Sequence, residues 1–261
     1  MQSVDNASSG DRAEMVFAAF GEIAAGDVGD AIEAAHVLTR WSLRLLDVCG
    51  VGVMMADGGG MLRSVVVSSD AVRVLEAAEL DQGRGPCVES HRRAHAVIHA
   101  DLDVSDARWP EFGPRARAGG MRAAHAIPVL DGGTAIGVLN LFRASTGGLT
   151  DADATLAQTL ADAAGTVISQ QPSSTRTPAS AEQLAALFAD AAIIERAKGV
   201  LAVRLQVEID TAYAVLRRVA RDHGDTVGEL AAAVVTGGTT ITLPLSVGPD
   251  EPQSPAPTGA D

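Results

Sequence analysis

The stretch VGVMMADGGGMLRSVVVSS, residues 51–69, decides the fold. Val51 to Ala56 is a short apolar run, DGGG interrupts it, and Leu62 to Val67 is a second apolar run. Two strands rich in β-branched residues and joined by a glycine turn predict an antiparallel hairpin. Further candidate strands lie at 96–98, 123–129 and 136–142, the last two joined by Asp131-Gly132-Gly133. Before the hairpin, Ile32, Ala35, Leu38, Leu45 and Leu46 fall at near-helical spacing, with Gly50 as a stop. After the sheet, Thr150 to Asp153 opens a helix that runs to about Ser169. The reading is α+β: an antiparallel sheet flanked by helices, with 99–122 as an irregular excursion over one sheet face.

Composition sets the outer limits. The chain has 261 residues, 47% hydrophobic and 20% charged, and a formal net charge of -13. That apolar fraction excludes a wholly disordered chain. No run approaches the ~18 apolar residues of a membrane-spanning helix. The opening MQSVDNASSGDRAEM lacks a basic stretch followed by an apolar one, so no secretory signal is expected. The two cysteines, Cys49 and Cys87, are too few for a disulfide framework or a cysteine zinc site. An intracellular, cytoplasmic protein without a membrane partner is expected.

Low-complexity segments divide the chain. Residues 170–180 (QQPSSTRTPAS) read as a linker and 237–261 as a disordered, Pro-rich acidic tail. Residues 1–15 are expected to be a flexible N-terminus, leaving 16–169 as the larger domain and 181–236 as the smaller. The smaller domain reads as three helices. The first opens at a Ser180–Gln183 capping box and carries Leu184, Leu187, Ala191, Ile194 and Leu201 on a seam suited to a second chain. Asp210 is the expected N-cap of the second, and His223-Gly224 its stop. A Thr226–Glu229 capping box opens the third. So short a domain barely buries its own core, so a homodimer or docking on a neighbour is expected.

Charge singles out part of the smaller domain. Residues 191–221 hold six basic and three acidic side chains within a strongly acidic protein, and they include Lys198, the only lysine of the chain. A polyanion would land there and be repelled elsewhere. The basic set is Arg196, Lys198, Arg204, Arg217, Arg218 and Arg221; it reads either as a solvated helix face or as a phosphate-contacting surface. Tyr213, the only tyrosine, either stacks on an unpaired base or fills the core. Gly199, beside Lys198, would permit close approach of another backbone or a ribose.

Two families share these patterns. VGVMMADGGGMLRSVVVSS, GRGPCVES (83–90) and AIPVLDGGTAIGVLNLF (126–142) resemble the GAF domain, a small-molecule sensing fold, across about 16–169. IIERAKGVLAVR (193–204), DTAYAVLRRVAR (210–221) and VGELAAAVV (227–235) resemble the ANTAR domain, a three-helix RNA-binding module of antitermination regulators. The resemblance implies a signal-responsive regulator that binds paired stem-loops in mRNA leaders through Lys198, Arg204, Tyr213, Arg217, Arg218 and Arg221. It also implies an unidentified small-molecule ligand for the GAF part, with Trp109 and Phe112 on the loop that covers the pocket. The chain departs from the ANTAR pattern at Ala202, where Met is frequent, at Gln206, where Gly is frequent, and near Thr226, where a basic residue is frequent.

No catalytic constellation stands out: GxSxG, Walker A and HExxH motifs are all missing from the sequence. No enzyme activity, cofactor or metal is expected. Cys87 reads as a small buried residue in a strand-edge turn, and His91, His95, His99 and His125 as scattered surface histidines. A DNA-binding factor and a purely protein-interacting sensor with a dimerising tail remain the alternatives.

Overall fold

The hairpin forms as its sequence dictates. In a computed structural model describing residues 9–25, 31–57, 59–169, 181–239 and 241, β1 (Gly50–Ala56) pairs antiparallel with β2 (Leu62–Val67), Val53 opposite Val66. Asp57 closes the turn: its carboxylate accepts the N–H groups of Gly59 and Met61 at 3.0 Å each and the Arg63 guanidinium at 3.0 Å. Three further strands, β3 (Val97–His99), β4 (Ala123–Asp131) and β5 (Thr134–Arg143), complete an antiparallel sheet of order β2-β1-β5-β4-β3. Gly137 of β5 meets β1 so closely that a Cβ there would strike the Met54 carbonyl oxygen.

Helices cover both faces of the sheet. On one side lie α1 (Ser9–Ala25), α2 (Ala31–Leu45) and α6 (Asp151–Ser169), burying Leu38, Trp41, Val51, Val53, Ile127, Leu139 and Leu160. On the other lie α3 (Asp70–Gln82), α4 (Pro86–Arg93) and α5 (Phe112–Ala118), around Met54, Val72, Trp109, Phe112, Val138 and Phe142. Caps set several boundaries. Ser69 accepts the Val72 N–H at the start of α3, and Thr150 accepts the Asp153 N–H at the start of α6.

The C-terminal helices are α7 (Ala181–Leu205), α8 (Ile209–His223) and α9 (Val227–Thr236). Ile194, Ala197, Leu201, Leu216, Ala220, Leu230 and Val234 are buried between them. Thr226 and Glu229 form the predicted capping box, and Gly224 ends α8 at φ 76°, where a side chain would be strained. These residues and the α2 side of the sheet form one continuous hydrophobic cluster.

Several expectations change. Helix α1 begins at Ser9, inside the stretch 1–15 expected to be flexible, because Met15, Val16, Ala19, Phe20 and Ile23 join the core on the side of α2 and α6. The excursion 99–122 contains a helix, α5, held down by buried Trp109 and Phe112. The N-cap of α8 is Glu208 rather than Asp210. Ile194 and Leu201 face α8 and α9, so they are spent on the chain's own core and not on a second chain. The side chains of Leu184, Leu187 and Ala191, the Ser180 cap and the linker 170–180 lie outside the described residues. Of the predicted tail, 237–239 and Ile241 are described, and Ile241 is buried against the C-terminal helices.

Candidate nucleic-acid interface and the cleft beside it

The basic side chains of the C-terminal helices divide into two groups. On α8 the buried arc is Ala212, Tyr213, Val215, Leu216 and Ala220. At ~100° per residue, Arg217 borders that arc, Arg221 lies about 40° further round, and Arg218 points away from the core. Arg218 and Arg221 are exposed, as are Arg204 and Arg196 on α7, and none of the four makes an ion pair within the described residues. Each of the four therefore offers an exposed guanidinium with no ion-pair partner among the described residues.

Lys198, Tyr213 and Arg217 turn the other way, toward the N-terminal domain. Arg217 donates to the Glu33 carboxylate of α2 at 2.9 Å, with side chains 22% and 10% exposed. Tyr213 stacks on His36 of α2, ring centroids 4.1 Å apart. Lys198, only 6% exposed, donates to Glu195 at 2.8 Å and lies 5.6 Å from the Tyr213 ring centroid. Burial, with Lys198 and Arg40 nearby, holds the His36 pKa well below its ordinary value, so the imidazole is neutral at pH 7. Three of the six predicted RNA-contacting residues are therefore covered in this arrangement. No other backbone comes near Gly199; a Cβ there would have nothing within 4 Å.

Above this contact a cleft of about 330 Å³ opens between the domains, at the β2 edge of the sheet. Thr39 and Arg40 of α2, Ser68, Ser69 and Arg73 around the start of α3, and Lys198 of α7 contribute to its walls. Glu195 sits among them, with Arg73 at 4.0 Å and His36 Nε2 at 3.9 Å.

The far face of the sheet holds a different polar group. Glu76 and Glu79 of α3 are buried, and burial pushes their pKa values up to about 7 and about 8. Glu76 receives Ser64 Oγ at 2.6 Å and Asn140 Nδ2 at 2.9 Å; Glu79 receives the Cys87 N–H at 3.2 Å. A Cβ on Gly52 would collide with the Glu76 carboxyl, so that glycine makes room for it. Cys87 is buried as expected, but in the first turn of α4 rather than at a strand edge, and burial beside Glu79 keeps its thiol protonated. Trp109 and Phe112 are buried side by side, ring centroids 6.5 Å apart, as anchors of the 99–122 segment. His125 is not a surface residue. It is 1% exposed in β4 and accepts the Leu149 N–H at 3.0 Å, with burial lowering its pKa to about 4. Glu33 and His36 were not legible as site residues: they read as one side of an amphipathic helix, and their partners lie more than 170 residues away.

A helix-flanked antiparallel sheet joined to a compact helical unit, with charged and aromatic side chains at the joint, is a two-module architecture. The chain belongs to the GAF domain family, whose model matches residues 28–169, and the ANTAR domain model matches residues 182–235. Among solved structures, free methionine-R-sulfoxide reductase from Neisseria meningitidis is 14% identical, with TM-score 0.50, covering 67% of this chain and 98% of that one. The GAF domain of a phosphoenolpyruvate-protein phosphotransferase from Coxiella burnetii is also 14% identical, with TM-score 0.49, covering 62% and 95%. At such identities the likeness shows the fold alone. No protein of curated function matches the chain. Among the described residues no helix is long and apolar enough to cross a membrane.

Proposed function

We propose that this chain is a signal-responsive antitermination regulator of the cytoplasm, in which the ANTAR domain binds stem-loops of nascent mRNA leaders under control of the GAF domain. The observation that carries the reading is that Arg204, Arg218 and Arg221 are exposed with no ion-pair partner among the described residues, in a protein of net charge -13. Guanidinium groups bind phosphate bidentately and stack on unpaired bases, which suits hairpin loops better than a closed duplex. Lys198, Tyr213 and Arg217 complete the RNA surface once the ANTAR domain leaves the GAF domain. The docked arrangement is then the RNA-free state. A homodimer would present two such surfaces, and two hairpins on one leader would be held by avidity. With Ile194 and Leu201 buried internally, its contact falls to the Leu184 end of α7 and to the GAF helices.

The test is titration of the full chain with a two-hairpin leader RNA, a single hairpin and a duplex DNA of equal charge at several salt concentrations. Preference for the two-hairpin RNA is expected. Replacing Arg218 or Arg221 with Ala should weaken binding and flatten the log–log salt dependence by ~1 per residue. Equal or tighter binding to duplex DNA would move the reading to a DNA-binding factor. No binding of either would leave a protein-interacting sensor.

A further inference from the structure

The cleft between the two domains is rich in hydrogen-bond donors that the protein itself does not use. Ser68 Oγ accepts the Val51 N–H at 2.8 Å and Ser69 Oγ accepts the Val72 N–H at 3.3 Å. Each hydroxyl thereby spends an acceptor position and retains its own O–H. Thr39 Oγ1, on a side chain 6% exposed, is buried without a hydrogen-bond partner. Such a group costs free energy unless something binds it. The first turn of α3, which opens into the same cleft, carries N–H groups with no intrahelical acceptor.

The charges point the same way. Arg40, Arg73 and Lys198 line the space, and Arg40 is paired with Glu22. Arg73 and Lys198 share one carboxylate, Glu195, at 4.0 and 2.8 Å. The remaining acid on the wall, Asp70, has a side chain 97% exposed and stands 3.5 Å from Arg73. The wall itself carries three cations against two carboxylates, and with its unspent hydroxyl donors it suits a ligand that is all acceptor.

We infer that this interdomain cleft is a binding site for a small oxyanion-bearing molecule, a phosphate or carboxylate compound, gripped by Arg73 and the Thr39, Ser68 and Ser69 hydroxyls on one domain and by Lys198 on the other. It is separate from the buried face filled by Trp109 and Phe112, and it extends beyond the RNA reading. A ligand touching both domains favours the docked arrangement over the released one.

The single lysine makes the site directly readable. The full-length protein is treated with a limiting amine-acylating reagent, and the modification of Lys198 is followed by mass spectrometry against the α-amino group as internal reference. Orthophosphate, acetate, chloride at matched ionic strength and neutral sucrose are the probes. Saturable protection of Lys198 by orthophosphate or acetate is expected, reaching about tenfold at ten times the midpoint concentration. The stronger of the two identifies phosphate or carboxylate as the recognised group. Arg73→Gln, on an exposed side chain, and Thr39→Val, of equal size, should each shift the midpoint upward, Arg73→Gln by about tenfold, with circular dichroism unchanged. Protection equal in chloride or sucrose, or undiminished in Arg73→Gln, overturns the site. No RNA enters this measurement, so it and the RNA titration fail independently.

Discussion

Glu33 holds the docked arrangement by the clearest single contact, so its neutralisation is the sharpest perturbation. Glu33→Gln keeps the size and one acceptor but removes the charge facing Arg217 across 2.9 Å. Arg217 stays charged, so the hydrogen bond persists and only the attraction between two net charges is lost, ~4 kcal/mol at an effective dielectric of about 20 before desolvation and screening reduce it. With side chains only 10% and 22% exposed, screening is partial. The loss is therefore on the order of 1.5 kcal/mol, roughly a tenfold shift toward the released arrangement. Apparent RNA affinity scales with the fraction of protein that is binding-competent. Where the docked form predominates, Glu33→Gln should bind a two-hairpin RNA about tenfold more tightly in fluorescence anisotropy at fixed salt. Lys198 should acylate correspondingly faster. Arg217→Ala is the wrong variant, because it opens the joint and deletes a candidate phosphate contact together. Unchanged RNA affinity in Glu33→Gln, with Lys198 no more reactive than in the parent, would refute the reasoning.

Between pH 6.5 and 8 the folded protein should lose on the order of 1 kcal/mol of stability in urea unfolding. Glu76 and Glu79, raised to about 7 and about 8, hold protons that the unfolded chain has released, an effect of roughly 2 kcal/mol, and His36, His91 and His125, lowered in the fold but partly protonated in the unfolded chain near pH 6.5, offset about half of it. Glu79→Gln should flatten that slope, and an undiminished slope in the variant would show that the proton sits elsewhere. Gln206 occupies the left-handed region at φ 53°, so Gln206→Gly should raise stability by about 0.5–1 kcal/mol; a fall in Tm would contradict the strain. Gly137→Ala should cost ~3 kcal/mol or more and lower expression, because its Cβ meets the Met54 carbonyl across the β1–β5 pairing, whereas Gly199→Ala, facing open space, should be neutral or stabilising by thermal melt.

What the sequence disclosed and what it concealed follow the range of the forces involved. Both hairpins were legible because glycine turns and β-branched runs act over a few residues, and so was the Thr226–Glu229 box. Gln206 showed as a departure from a family pattern before its backbone supplied the reason. The first turns of α1 were hidden, since GDRAEM carries little apolar periodicity of its own and is ordered by its later turns against α2 and α6. Helix α5 is only seven residues long and begins beside Pro110, too short to give a period. The division of the basic set was beyond reach altogether. Arg217 and Arg221 are equivalent in pattern, and only Glu33, 184 residues away from Arg217, distinguishes them.

The continuous apolar cluster that runs from the α2 side of the sheet into α7, α8 and α9 gives the joint a temperature coefficient. Apolar association weakens on cooling, whereas the Glu33–Arg217 pair carries no comparable heat-capacity change. Chilling therefore loosens the greasy part of the joint and leaves the charged latch, while added salt screens the latch and leaves the grease. Cold and salt act on different halves of the same closure, so a cell that meets both at once would open this protein further than either stress does alone.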